Sequence, residues 1–141
     1  MNHSYDGFDE FINAWPKDQE NIKQALLELK SHAETLEGLK GEYVCRPGVS
    51  DSLRFNPLEP REGRDRPVMV MIDTVSFEGQ RFLSVCFYGE EIKDPDELGD
   101  EIPEGLFNET GYCFDLEGDE PDMTPYLKER ITEAWKSSKK D

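Results

Sequence analysis

The chain has 141 residues, a formal net charge of −16, and 35% hydrophobic against 34% charged residues. That length suits one core burying roughly two thirds of the surface the unfolded chain exposes, and eight Phe, five Tyr and two Trp supply bulky core material that disordered acidic chains lack. No run approaches the ~18 apolar residues of a membrane span, the acidic start MNHSYDGFDEF lacks the basic and then apolar order of a secretory signal, and a negative field repels phosphate backbones; the expectation is a cytoplasmic protein with neither membrane nor direct nucleic-acid partner.

In DGFDEFINAW, the residues Phe8, Phe11, Ile12 and Trp15 recur at i, i+3, i+4 and i+7, which makes one apolar helical face. Pro16 interrupts it. A longer helix is expected over about residues 17–37, with Ile22, Ala25, Leu26, Leu29, Ala33 and Leu36 along one stripe and Gly38 available to end it. The period then changes toward two. Segments GEYVCR and SDSLRF flank Pro47-Gly48 and read as a hairpin over residues 42–55. NPLEPREGRDRP, residues 56–67, reads as a Pro- and Arg-rich loop. PVMVMIDTV and RFLSVCFY follow as two strands joined by the short turn SFEGQ, and the apolar run at residues 68–72 marks a central strand covered on both faces for part of its length. An acidic loop separates them from a last short strand, GYCFDL, at residues 111–116. Thr124-Pro125 reads as an N-cap with proline at the first helical position, opening a helix that turns Leu127, Ile131, Ala134 and Trp135 inward and ends in the cations of KSSKK.

This order specifies a single α+β domain over residues 1–141, with an aromatic N-terminal segment at 1–16 and a polar tail at 137–141. Its expected architecture is an antiparallel sheet of four to five strands with N-terminal and C-terminal helices packed on one face. Cys45, Cys86 and Cys113 are odd in number, widely spaced and without a C-x-x-C pattern, so they are expected as reduced, buried, small apolar side chains.

The charge is unevenly distributed. Residues 82–126 hold one Lys against fourteen acids, a net of −13, whereas residues 46–81 are neutral. The densest part is FYGEEIKDPDELGDEIPEG. There Glu90, Glu91, Asp94, Asp96, Glu97, Asp100 and Glu101 are candidate ligands for a divalent or ferric cation, because hard ions accept clustered carboxylates without strict spacing. A calcium loop of EF-hand type does not fit: counted from Asp94, position 5 is Leu98 and position 12 is Gly105. The alternative is a turn at Asp94-Pro95-Asp96 in a solvated loop.

Catalytic patterns are missing. The sequence has no G-x-S-x-G, no H-E-x-x-H and no phosphate-binding glycine loop. Its two histidines are His3, placed in a tail, and His32, at the edge of the long helix. Any general base would be a carboxylate, which requires a pocket that separates the pKa values of two acids. Arg46 and Arg54 around Ser50, Asp51 and Ser52 read as an anion fork or, more simply, as a polar hairpin tip. Phe8, Phe11, Ile12 and Trp15 are the candidate partner-binding surface, since a short aromatic helix can dock in a groove; the same face could cap the chain's own sheet.

The stretch VCFYGEEIKDPDELGDEIPEG, followed by a short strand, an acidic gap and the helix YLKERITEAW, resembles the YdhG-like domain family at Gly89, Asp94, Pro95, Leu98 and Ala134. The resemblance covers about the C-terminal third. It implies a frataxin-like arrangement of two helices over an antiparallel sheet and, for some members, an acidic iron-chaperone role. Frataxins present acids on the first helix and first strand edge, whereas the long helix here carries a balanced Glu20, Lys23, Glu28, Lys30 and Glu34. The leading expectation is therefore a non-enzymatic protein-binding module for a partner with a basic or apolar surface, without a cofactor. The alternative is a metal-ion (iron) chaperone.

Overall fold

The computed structural model describes residues 3–58, 68–106, 109–118 and 120–138. Helix α1 (Phe8–Asn13) is followed by a 3-10 turn (Lys17–Gln19), helix α2 (Glu20–Glu34), strands β1 (Leu39–Arg46), β2 (Ser50–Pro57), β3 (Val70–Phe77) and β4 (Gln80–Tyr88), a second 3-10 turn (Gly89–Glu91), strands β5 (Asp100–Leu106) and β6 (Glu109–Leu116), and helix α3 (Met123–Ser138). The architecture is α+β, with one antiparallel sheet in the order β1-β2-β3-β4-β6-β5.

Strand alternation sorts the apolar side chains. Leu53, Phe55, Val70, Ile72, Leu83, Val85, Phe87, Phe114 and Leu116 turn to one face and share a buried core with Leu26, Leu29, Ala33, Leu127, Ile131 and Ala134 from α2 and α3. Val68, Tyr88 and Leu106 form a smaller buried cluster joined by Met71, so one end of the sheet, where β3 starts and β4 and β5 finish, buries apolar side chains on its second face too. The β3–β4 turn uses Glu78 and Gly79 at φ of 52° and 78°, the pair of left-handed residues that matches a hairpin's twist.

The N-terminal aromatic face is part of the core. Phe8, Phe11 and Trp15 are buried, and Ile12 packs half-buried against the same cluster. Phe11 stacks on Tyr43 with ring centroids 5.6 Å apart. The Arg81 guanidinium lies 4.5 Å from the Phe11 ring centre and 4.8 Å from that of Trp15, and its Nη1 donates to the Phe11 carbonyl at 3.1 Å. The Gln19 amide closes the junction: Nε2 donates to the Arg81 carbonyl (3.0 Å) and Oε1 accepts from the Arg81 N–H (2.8 Å). These contacts fasten α1 and the turn after Pro16 to the start of β4.

Five expectations are corrected. The sheet has six strands, because residues 100–106, read as loop, pair with β6. DEIPEGL shows no apolar alternation, since an edge strand exposed at nearly every position needs none. Pro103 lies where the register shifts between Ile102 and Leu106, a position at which a missing N–H costs little. Second, Cys86 and Cys113 are joined in a disulfide with Cα atoms 4.2 Å apart, and Cys45 is exposed. The bonded pair is 27 residues apart in sequence and meets only through the register of β4 against β6; closing that loop restricts the unfolded chain by about 3–4 kcal/mol. Third, α3 already includes Met123, and the Tyr126 N–H donates to the Asp122 carbonyl at 3.4 Å, which puts the helix start ahead of Thr124. Fourth, His3 is held in place by the Gly41 N–H, which donates to Nδ1 at 2.9 Å. Fifth, the Pro- and Arg-rich loop expected over residues 56–67 starts too early, because Asn56 and Pro57 end β2, and its residues 59–67 lie outside the described residues.

Phe11→Ala is expected to cost about 3–5 kcal/mol of stability, the range for a buried Phe truncation, read from urea denaturation. A loss under about 1 kcal/mol would place the aromatic face outside the core.

Candidate functional site

The sheet order determines where the acids go. Every residue of the −13 segment follows β4 or lies on it, β5 or β6, and β6 and β5 are the last two strands of one edge. The acids of β5 and β6, namely Asp100, Glu101, Glu104, Glu109 and Asp115, are thereby carried on one edge of the sheet. No Lys or Arg occurs in the sequence between Lys93 and Lys128.

Within this region Asp94 works differently from its neighbours. It is buried, at 7% exposure, and its backbone is left-handed (φ 42°), a conformation Asp tolerates better than most residues. Oδ1 accepts from the Leu98 N–H and Oδ2 from the Gly99 N–H, each at 3.0 Å, and the Tyr126 hydroxyl donates to Oδ1 in a short hydrogen bond. The Asp94 carbonyl accepts from the Glu97 N–H at 3.0 Å. The carboxylate therefore organises the loop from inside. Gly99 is required by the close approach: a Cβ there would stand 2.8 Å from the Phe114 ring.

Helix α3 supplies the other half of the joint through residues spaced by about one turn. Besides bonding Asp94, the Tyr126 oxygen accepts from the Asp96 N–H at 3.2 Å. The Arg130 guanidinium lies 4.3 Å over the Tyr126 ring and is almost wholly buried, paired with Glu133 at 2.8 Å. Glu133 Oε1 also accepts from the Lys93 N–H at 3.1 Å. Burial pushes the Asp94 carboxyl up, but the Tyr126 hydroxyl, the Gly99 and Leu98 amides and the Arg130 charge together outweigh it and hold the group below the usual aspartate range. Burial, followed by the bond to Asp94, raises the Tyr126 phenol, so it stays a proton donor.

The remaining acids are spread along the edge. Glu90 and Glu91 occupy the turn after β4, with Glu91 buried; Asp96 and Glu97 lie in the loop; Asp100 and Glu101 begin β5. A cleft of about 580 Å³ opens between the end of β4, β5 and β6, lined by Glu90, Glu101, Pro103, Glu104, Glu109 and Tyr112. No described lining residue is a cation. The Tyr112 hydroxyl donates to Glu101 Oε2 at 3.2 Å, and that bond first of all lifts the phenol above its ordinary range. The cleft thus sets the exposed carboxylates of Glu101 and Glu104 beside an aromatic wall, an arrangement that attracts an ammonium or guanidinium group and offers a ring for its stem. Among the described residues no three His, Cys, Asp or Glu side chains converge as metal ligands.

The other sequence candidates are engaged elsewhere. Arg46 Nε and Nη2 donate to Ser50 Oγ at 3.2 and 2.7 Å, and Arg54 Nε donates to Ser52 Oγ at 3.1 Å, so these arginines brace their own hairpin. His32 Nε2 lies 2.8 Å from Thr132 Oγ1, whose hydroxyl donates to the Lys128 carbonyl at 3.2 Å, which makes His32 the donor and ties α2 to α3. Burial, then the Lys128 charge, lowers its pKa. The cleft went unnoticed in the sequence because half of its wall is β5. The Asp94 joint could have been sought in the Asp-Pro-Asp turn, but its helix partners lie about 30 residues away, Tyr126 being 32 residues from Asp94.

No family model, curated protein or solved structure matches the chain. No described helix is long and apolar enough to cross a membrane.

Asp94→Ala leaves two amides and a phenol without their acceptor, an expected loss of about 2–4 kcal/mol. Because the native carboxyl is held below its ordinary value of 3.8, its contribution is complete above that value and is lost as pH falls through the lower native one. The stability gap between wild type and variant, measured by urea unfolding from about pH 6 down to about pH 2.5, should therefore shrink on acidification. A gap independent of pH would contradict the assignment.

Proposed function

We propose that the protein is a non-enzymatic binding module whose acidic β5–β6 edge takes up a lysine- or arginine-rich segment of another protein. The observation that carries this reading is the cleft of about 580 Å³ to which β5 contributes Glu101 and Glu104 and β6 the ring of Tyr112, on two edge strands whose sequences hold no cation. A field of one sign steers a basic partner toward the site and disfavours acidic ones, including nucleic acid. Tyr112 adds a ring against which an aliphatic stem or a guanidinium can lie.

This moves the expected partner surface. The aromatic residues Phe8, Phe11 and Trp15 are buried in the chain's own core, so the cleft replaces them as the contact region. The iron-chaperone alternative has less support, because Asp94, the centre of its proposed ligand set, directs its carboxylate to Leu98, Gly99 and Tyr126.

A fluorescent decalysine titrated into the protein tests the reading. Glu101→Gln with Glu104→Gln removes two exposed charges worth about 0.7 kcal/mol each, so the dissociation constant should rise about tenfold, and added salt should weaken the wild type more than the variant. Equal binding by both proteins would count against the cleft.

A further inference from the structure

The mechanism by which the acidic edge stays assembled has a covalent component. Cys86 on β4 faces Cys113 on β6, and Asp100 on β5 faces Cys113 from the other side. All three lie on the sheet face opposite the helices, since their neighbours Val85, Phe87 and Phe114 point into the helix-side core. The disulfide thus joins the interior of the sheet to the hairpin that carries the cleft. One residue away, Tyr112 pairs with Phe87 on β4 and with Glu101 on β5, and its side chain lines the cleft.

That hairpin is under electrostatic load. Asp100, Glu101, Glu104 and Asp115 are carried by β5 and β6 with no cation on either strand, and among the described residues β5 pairs with β6 alone. Like charges along paired strands repel. Opposing this are the β4–β6 ladder, the packing of Leu83, Val85, Phe114 and Leu116, and the disulfide. The first two persist when the sulfur bond is opened, because the core formed with α2 and α3 does not depend on it. The helix-side cluster contains neither Cys86 nor Cys113, so opening the bond removes one of three restraints on the acidic hairpin and none of that cluster.

We infer that the Cys86–Cys113 pair is a redox switch that regulates the acidic edge, assembled for a basic partner when oxidised and loosened when reduced; this regulation rests on the binding role proposed above. The oxidant is a low-molecular-weight disulfide. The thiolate of Cys113, which is half-buried whereas Cys86 is 6% exposed, attacks one of its sulfurs and releases one small thiol. The Cys86 thiolate then attacks the Cys113 sulfur of the mixed disulfide and releases the second. Two protein thiols lose two electrons in all, and the small disulfide gains them as two thiols. Cys45 does not compete. It sits on β1, three strands from β4 in the sheet order, about 14 Å at the usual strand spacing.

The test uses the full chain equilibrated with glutathione disulfide or with dithiothreitol, its mass to read the state of the cysteines, decalysine binding, and amide hydrogen exchange over β5 and β6. Oxidised protein should carry the Cys86–Cys113 bond, read by mass as the loss of two hydrogens, with exposed Cys45 left as a thiol or as a mixed disulfide with glutathione. Reduction should weaken decalysine binding about tenfold, within the usual range of coupling between two sites, and speed exchange in β5 and β6. A Cys86→Ser, Cys113→Ser variant should behave as the reduced form with or without dithiothreitol, and reduced wild type gives the same comparison if the variant does not fold. No Cys86–Cys113 bond after oxidation, or equal affinity in the two forms, would overturn the inference. Faster exchange on reduction with no decalysine binding in either form would place the failure in the basic-partner reading, and overturn the regulatory role with it.

Discussion

The joint around Asp94 is the constraint on which the acidic half of the molecule depends. One buried carboxylate holds the Leu98 and Gly99 amides and the Tyr126 hydroxyl, while Arg130 and Glu133 from the same helix brace the ring and the Lys93 amide. The path from β4 to β5 is thereby fixed against α3. With that path set, residues 100–106 arrive beside β6 and complete the sheet. The carboxylate also stays charged inside the structure only because three donors and a nearby guanidinium offset its desolvation.

The same geometry separates two populations of acids that look alike in the sequence. Asp94 and Glu91 are turned inward, and their burial is compatible with a structural role. Glu101 and Glu104 are exposed on the edge strand, where charge discourages indiscriminate strand pairing and creates the field that a basic ligand would meet. Concentrating this charge at one edge adds self-repulsion to the β5–β6 hairpin. The disulfide and the β4–β6 packing act on the strand that must resist it.

Much of the fold was legible because its signals are local. The period of Ile22, Ala25, Leu26, Leu29 and Ala33 marks α2, Pro16 divides it from α1, and the paired apolar runs around Glu78-Gly79 mark the β3–β4 hairpin. What escaped depends on distant partners. Strand β5 has no period of its own and exists because β6 offers an open edge. Cys86 and Cys113 meet through strand register, which spacing does not encode. The aromatic stripe at Phe8, Phe11 and Trp15 was visible, but whether it faced a partner or the chain's own sheet depended on Tyr43 and Arg81, both far along the sequence. Acid density drew attention to the right region, yet its division into a structural joint and an exposed cleft required the positions of α3 and Tyr112.

The most direct test of this account is to follow backbone amide resonances while decalysine is added to the oxidised protein. Perturbations are expected to centre on Gly89, Thr110 and Tyr112 at the cleft, with the amides of Phe11, Trp15, Asp94 and residues 96–99 left in place. Perturbations centred on residues 8–15 or 94–99, or none at concentrations that saturate a weak site, would contradict it.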